Sequence, residues 1–467
     1  MESISIFDIF KIGVGPSSSH TLGPWRAALA FIEDLNIEEL EGIQIHLYGS
    51  LSKTGIGHAT DQAVLLGLMG FDPTQIDTSR IESIIAKIKE NHVLQVKLKS
   101  IPFNYNQDIV FESFTHSLHP NTLKFTAFSK EAVIKEQLFA SVGGGFIESA
   151  NEQHKATPKI KLPFPINKGT ELLEYTKQQN CPISEIVYRN ELSLRTDQEI
   201  EEGIELILNT ILDSIFTGCK TGGILPGGLN VTRRAKPLSD KLMNGAKFSS
   251  CEEWMRAMKA VPKEFNSVNK WISCFALAVN EQNASMGRIV TSPTNGAAGV
   301  IPAVLMYYLL FCDDHGDAFI KNFLFTAGEV GCLFKKGATI SAAVGGCQAE
   351  IGVSSAMAAA GLTEVLGGTP EQCLMAAEIA MEHHLGLTCD PIKGLVQIPC
   401  IERNAMGAMK AITAANLALV SNSKKSIVPL DAVIKTMWDV ANDMNSKYKE
   451  TSEGGLAINL PVINPNC

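Results

Sequence analysis

Three of the eleven cysteines stand apart by their surroundings: Cys347 in VGGCQAEIG, Cys389 in HHLGLTCDP and Cys400 in VQIPCIERN. Thr369-Pro370-Glu371 has the pattern of a helix start and Gly386 that of its end. Cys389 therefore falls on the loop just past a helix C-terminus, and Cys400 just before the helix that follows. They are eleven positions apart, so one loop can bring both thiolates to a point that Cys347 joins from another helix. Three such thiolates fit an iron–sulfur site in which one iron has no protein thiolate. Spacing alone leaves two other readings open. The three can be ordinary buried cysteines, or part of a zinc site, although closed zinc sites use tighter ligand pairs. Cys467 is the last residue, and the apolar, Gly- and Pro-containing GGLAINLPVINP leads up to it. A tail of that kind can tuck into a cleft and offer a thiolate to the open iron; a terminal thiol with no role is the competing reading.

Two further groups could handle protons and small anions. SPTNGAAG (Ser292 to Gly299) runs into an apolar helix, so Ser292, Thr294, Asn295 and Gly296 would set hydroxyls and backbone N–H groups at the positive end of a helix dipole. That is a carboxylate cradle, with plain helix capping as the alternative. GPSSSHTLGP gathers Ser17, Ser18, Ser19 and His20 between two Gly-Pro breaks, and TGIGHATD places His58 after a Gly-rich turn. An imidazole titrates near neutrality, which suits acid–base work. Two histidine loops in one small region point to a shared cleft. GILPGGLNVTRRA adds Arg233 and Arg234. Guanidinium suits carboxylates, yet at least one of the pair reads as a surface charge.

These residues need a scaffold. A chain of 467 residues exceeds one comfortable core, so two or three domains are expected. The first part alternates strand patterns (Ile43 to Ser50, His92 to Ser100, Leu123 to Phe128) with helical spacing (Pro24 to Leu35, His58 to Met69). The polar, Pro-containing ESANEQHKATPKIKLPFP marks a boundary. Beyond it helical periodicity and Gly/Ala content dominate, with one long helix expected over Thr339 to Gly361. The boundary gives an α+β domain over 1–155 and a mostly α-helical domain over 165–467. A net charge of -9 argues against nucleic acid and anionic membranes as partners. The most apolar run, Gly299 to Phe311, is short for a bilayer span, and the first residues show no signal-peptide pattern, so a cytoplasmic protein is expected. Thiols stay reduced there, and Cys219, Cys274, Cys312 and Cys332 read as small buried hydrophobes.

Taken together, SIFDIFKIGVGPSSSHTLGP, YGSLSKTGIGHATD, GILPGGLNVTRRA, GCQAEIGVSSAMAAAGL, VQIPCIERNAMGAMKAI and YKETSEGGLAI, in this order, make the chain similar to the single-chain iron–sulfur-dependent L-serine dehydratases (L-serine ammonia-lyases). The resemblance runs nearly end to end. It implies an N-terminal domain of ACT-like, regulatory ancestry and a helical catalytic domain. It implies a [4Fe-4S] cluster on Cys347, Cys389 and Cys400, with Cys467 able to cap the fourth iron. L-serine would then be dehydrated and deaminated to pyruvate and ammonia. His58 or His20 would do acid–base or orienting work, while Ser17, Ser18, Ser19, Ser292, Thr294, Asn295 and Gly296 hold the substrate. A homodimer is expected. Three departures from the family pattern are Ile56 for a lysine, Val344 for a glutamate and Ala349 for a glycine. Rival readings are another iron–sulfur hydro-lyase acting on a small hydroxy acid, a non-enzymatic iron–sulfur sensor, and a pyridoxal-phosphate dehydratase using Gly143 to Gly145 as a phosphate loop.

Overall fold

A computed structural model describes residues 3–130, 132–150, 162–312 and 319–460. Cys467 lies outside the described residues, as does most of the expected domain boundary.

The small domain is built on a five-stranded sheet. Its strand order is Ile109–Phe111, Gly42–Leu47, Thr122–Ser129, Ala132–Ser141 and Ile147–Ser149, antiparallel except for the first pair. Alternation fixes its inner face: Ile43, Ile45 and Leu47 are buried while their neighbours are half-exposed. Phe31 from the helix Gly23–Glu33 stacks on Phe125 at 5.1 Å, and Phe125 meets Phe139 at 6.0 Å. The helix Thr60–Leu68 packs on that first helix, with Gly67 allowing close approach to Trp25. The run expected as one strand over His92 to Ser100 is instead a hairpin, Val93–Val96 with Lys99–Pro102. Lys97 turns it at φ 49, a left-handed conformation that the alternating pattern does not reveal.

The large domain is helical, and its centre is Ile351–Val365. Fourteen residues of that helix are buried, so it is apolar on every side, as a helix wrapped by others must be. Ile320–Gly337, Pro370–Glu382, Cys400–Val420 and Val300–Phe311 surround it. Small residues permit this crowding: a Cβ on Gly361 would stand 2.8 Å from the Phe323 carbonyl oxygen. The long helix expected from Thr339 is broken. A short helix Ala342–Gly345 ends at Gly346, whose φ of 70 starts a new direction, and the main helix begins only at Ile351. Cys347 sits in that break. Thr369 caps its helix as its sequence predicts, accepting from the Gln372 N–H.

The two domains share the chain's first residues. Ile4, Ile6, Ile9 and Phe10 belong to the core of the helical domain, whereas Val14 begins that of the small one. Ile12–Val14 pairs antiparallel with Arg288–Val290 of the large domain. The fold is thus an α+β N-terminal part joined to a mostly helical C-terminal part. Among the described residues no helix is long and apolar enough to cross a membrane.

Candidate active site between the two domains

A small enclosed cavity lies where the domains meet. Pro16, Ser17 and His58 reach it from the small domain. Gly296, Glu350, Cys389, Cys400 and Glu450 reach it from the large one.

The thiol side rests on the helix break and on two loops. The ligand atoms of Cys347, Glu350 and Cys389 lie within 4.8 Å of one another. Cys400 is the first residue of its helix, and Asn404 one turn on accepts from the Gly299 N–H at 3.0 Å and donates to the Gly296 carbonyl at 2.7 Å. This joins the SPTN turn to the Cys400 helix. Burial opposes charge on Arg403, but Cys347, Cys400 and Cys389 outweigh that and raise its pKa, so one guanidinium faces all three thiols. Cys347, hydrogen-bonded to Cys389, is pushed below the ordinary thiol range, while Cys389 and Cys400 are pushed up. Three soft thiols with a buried guanidinium as counter-charge fit the sulfur donor set of a cluster. The other described cysteines stand apart; Cys219 and Cys274, 3.9 Å from each other, fill the core, and all ten described cysteines are free.

On the histidine side the polar atoms are largely partnered. His20 and His58 are fully buried and stack at 4.4 Å. Their tautomers follow from their partners. A carbonyl can only accept, so His58 Nδ1 donates to the Thr54 carbonyl at 2.9 Å and its Nε2 keeps a bare lone pair. The Ser50 hydroxyl gives its one proton to the Glu450 carbonyl at 2.8 Å, so His20 Nε2 donates to Ser50 at 3.0 Å. His20 Nδ1 then accepts from Ser19 at 2.9 Å, and Ser17 can donate to Ser19 at 3.3 Å. Two threonines cross-brace the loops. Thr21 donates to the His58 carbonyl at 2.7 Å and Thr60 to the His20 carbonyl at 2.6 Å.

Burial lowers His58 to about 4 and, helped by His58, holds His20 well below the ordinary range, so both rings are neutral at physiological pH. Glu450 Oε1 lies 3.5 Å from His20 Nδ1 and 3.5 Å from His58 Nε2. Burial, then the nearby Glu350 and Cys347 charges, push Glu450 well above the carboxylate range, which favours the protonated acid. Burial pushes Glu350 up to about 7, with Thr294 and Arg403 opposing. His20, His58 and Glu450 bring three potential metal-ligand atoms within 4.8 Å of one another. With both His20 nitrogens already hydrogen-bonded, the group is better suited to moving protons.

Other sequence candidates take distinct places. Ser17 lines the cavity, and Ser18 and Ser19 are buried in the turn behind it. Ser292, Thr294 and Asn295 are buried; the Ser292 hydroxyl and the Asn295 carbonyl oxygen have no hydrogen-bond partner. The Asn295 amide donates to the Val14 carbonyl at 3.3 Å and to Asn283 at 3.2 Å, tying the turn to the start of the small domain. The arginine pair splits: Arg234 is half-exposed and pairs with Glu402 at 2.8 Å, whereas Arg233 is buried and donates to Ser285 at 2.7 Å. Ile56, where the family's lysine is usual, is 71% exposed, so that position faces away from the buried site. Nearby Lys53 pairs with Glu453 at 2.8 Å. Gly143 to Gly145 form a hairpin turn between paired strands, beside Ile340, Ser341 and Leu22, rather than a loop at a helix start.

Glu350, Arg403 and Glu450 were not singled out in the sequence. The first two lie within motifs already marked by Cys347 and Cys400, and that proximity was their only signal. Glu450 is carried in by pairing: its N–H donates to the Cys389 carbonyl at 2.8 Å, and the Cys389 N–H to the Tyr448 carbonyl at 2.8 Å.

Known proteins match the chain end to end. The serine dehydratase beta chain family matches residues 5–152 and the serine dehydratase alpha chain family residues 178–457. "L-serine dehydratase 1" of Escherichia coli is 42% identical, over 98% of this chain and 99% of that protein. The "L-serine dehydratase" of Streptomyces coelicolor is 44% identical over 98% and 99%. That of Helicobacter pylori is 42% identical over 98% and 100%. With both halves matched in order and relatives covered over their whole length, the chain belongs to the single-chain L-serine dehydratase family.

Proposed function

We propose that this protein is an L-serine ammonia-lyase, converting L-serine to pyruvate and ammonia with a [4Fe-4S] cluster held by Cys347, Cys389 and Cys400. The observation that carries the reading is the meeting of Cys389 and Cys400, a bare imidazole nitrogen and a buried carboxyl on one cavity, with the Cys347 thiol beside Cys389, in a chain whose full-length relatives are named L-serine dehydratases. When bound, the cluster supplies a Lewis-acidic iron without a protein thiolate, which eases departure of the serine hydroxyl. Cys467 is the candidate cap for that iron, on the family resemblance.

The chain's own residues supply the rest. His58 Nε2 is the base for the α-proton: Thr54 fixes the tautomer that leaves this nitrogen unprotonated, and burial keeps the ring neutral. Proton loss at Cα and breakage of the Cβ–O bond give an aminoacrylate, which tautomerises to an imine and hydrolyses to pyruvate and ammonia. Ser17, the unpartnered Ser292 hydroxyl and the Asn295 carbonyl oxygen are candidates to hold the carboxylate and amine, with Ser18, Ser19, Thr294 and Gly296 shaping that wall. The sheet with helices against it supports an ACT-like ancestry for the small domain.

The test is anaerobic reconstitution with iron and sulfide, followed by a pyruvate assay. Turnover of L-serine with little of D-serine or L-threonine is expected. A reconstituted cluster with no product from L-serine would overturn the reading in favour of a sensor or of a lyase for another hydroxy acid.

A further inference from the structure

Ser50 attracts no notice in the sequence: it lies in YGSLSK, ahead of the histidine loop, and its side chain does not line the cavity. It is 5% exposed, and every polar group it owns has a partner. Its N–H donates to the Pro120 carbonyl at 2.9 Å, which seats it on the small domain. Its hydroxyl accepts from His20 Nε2 and donates to the Glu450 carbonyl. Its own carbonyl accepts from the Thr54 N–H at 3.0 Å and from the Thr54 hydroxyl at 3.0 Å. The Thr54 carbonyl in turn accepts from His58 Nδ1. One serine therefore governs both rings, His20 through its hydroxyl and His58 through its carbonyl.

The same hydroxyl reaches the other domain. Glu450, whose carbonyl it holds, donates its own N–H to the Cys389 carbonyl next to the Cys389–Lys449 bridge, and Lys53, three residues beyond Ser50, pairs with Glu453 of the same segment. An unbroken hydrogen-bonded path thus runs from His20 through Ser50 and the Glu450 backbone to the peptide of Cys389.

We infer that Ser50 is a positioning residue, a latch that sets the His20 tautomer and holds the Tyr448-to-Glu453 segment, and with it the Glu450 carboxyl, against the histidine pair. The inference rests on the proposed lyase reading only for its kinetic consequence. Without the hydroxyl, the proton on His20 is free to move between nitrogens, and the Glu450 carbonyl loses its small-domain donor. The ligand side chains are untouched, so the metal site should survive while the alignment of base and carboxyl does not.

The test compares the full chain with Ser50→Ala and Ser50→Thr, each reconstituted anaerobically. Ser50→Ala should keep its iron and sulfide, leave KM within about threefold, and lose roughly tenfold to a hundredfold in kcat, the scale of a displacement near 1 Å. Amide hydrogen exchange over 448–455 should quicken in Ser50→Ala and not across the rest of the chain. Ser50→Thr, which retains the hydroxyl, should restore both readouts. The latch is overturned by a Ser50→Ala kcat within about twofold of the parent, by unchanged exchange over 448–455, or by faster exchange everywhere. It is also overturned if Ser50→Thr has parental exchange but the kcat of Ser50→Ala. A parent chain that leaves L-serine intact would sink the proposed function alone, because the exchange measurement reads the latch without turnover.

Discussion

The two walls of the cavity are organised on opposite principles. Behind the small-domain wall nearly every polar atom has a partner: Ser17, Ser19, His20, Ser50, Thr54, Thr21 and Thr60 form one connected network. The large-domain side presents Cys389, Cys400 and the partly buried Glu350 to the cavity, with Cys347 beside Cys389 and unpartnered oxygens on Ser292 and Asn295 in the turn that leads to Gly296. Buried polar atoms ordinarily find partners. The contrast therefore separates a side that is finished, and holds its histidines still, from a side whose polar groups are left without partners.

Removing thiols should break that contrast most severely. Cys347→Ser, Cys389→Ser and Cys400→Ser should each abolish cluster absorbance and pyruvate formation together, while thermal unfolding of the apoprotein changes little. A variant with full iron content and parental turnover would remove that residue from the ligand set. The next largest effect is expected inside the finished wall. His58→Asn should lower kcat by about 10²–10⁴-fold with iron retained, and His20→Asn by less, because both nitrogens of His20 serve structure. The reverse order would assign the base to His20.

A stability comparison sharpens the distinction. Thr21→Val and Thr60→Val each strand a buried carbonyl and should cost about 1–3 kcal/mol in chemical denaturation. Ser292→Ala removes a hydroxyl that has no partner, so stability should hold or rise slightly, while KM for L-serine rises. If Ser292→Ala destabilises as much as the threonine variants, the walls do not differ as described.

The smallest effect on turnover is expected far from both walls. Burial raises Glu329, in the helix Ile320–Gly337, from 4.5 to about 7. A raised acid favours folding fully below its unfolded pKa, and that contribution is lost as pH climbs through the folded value. Between pH 4.5 and 7 the parent should thus lose up to about 3 kcal/mol that Glu329→Gln does not. Urea midpoints across that range would show parallel curves if Glu329 were not buried as described.

Much of this was legible in the residues, and the gaps have physical causes. Gly, Pro and capping residues around Cys347, Cys389 and Cys400 exposed them as loop-end thiols because such residues dictate local backbone. The central helix showed as a continuous apolar run, yet its break at Gly346 was hidden, since Gly also occurs inside this tightly packed body. Val93 to Pro102 alternates like a strand whether it continues or folds back at Lys97. Arg403 and Glu450 look like ordinary surface charges in sequence. Only the pairing of Cys389 with Lys449, and three converging thiols, give them their roles.

The arm at the chain's start has a consequence in topology. Because Ile6–Ile9 and Ile12–Val14 are built into the helical domain, the small domain is an insertion rather than a bead on a string. Chain connectivity tethers it at both ends, after Val14 and again where residue 150 leads on toward 162. A unit joined at two points has fewer ways to part from its neighbour than one joined at a single point, and its histidine loops stay near the thiols. The effective concentration of His58 at the thiols is then raised by chain connectivity as well as by the contacts between the domains. Trimming the first dozen residues would therefore leave the small domain joined at one point instead of two.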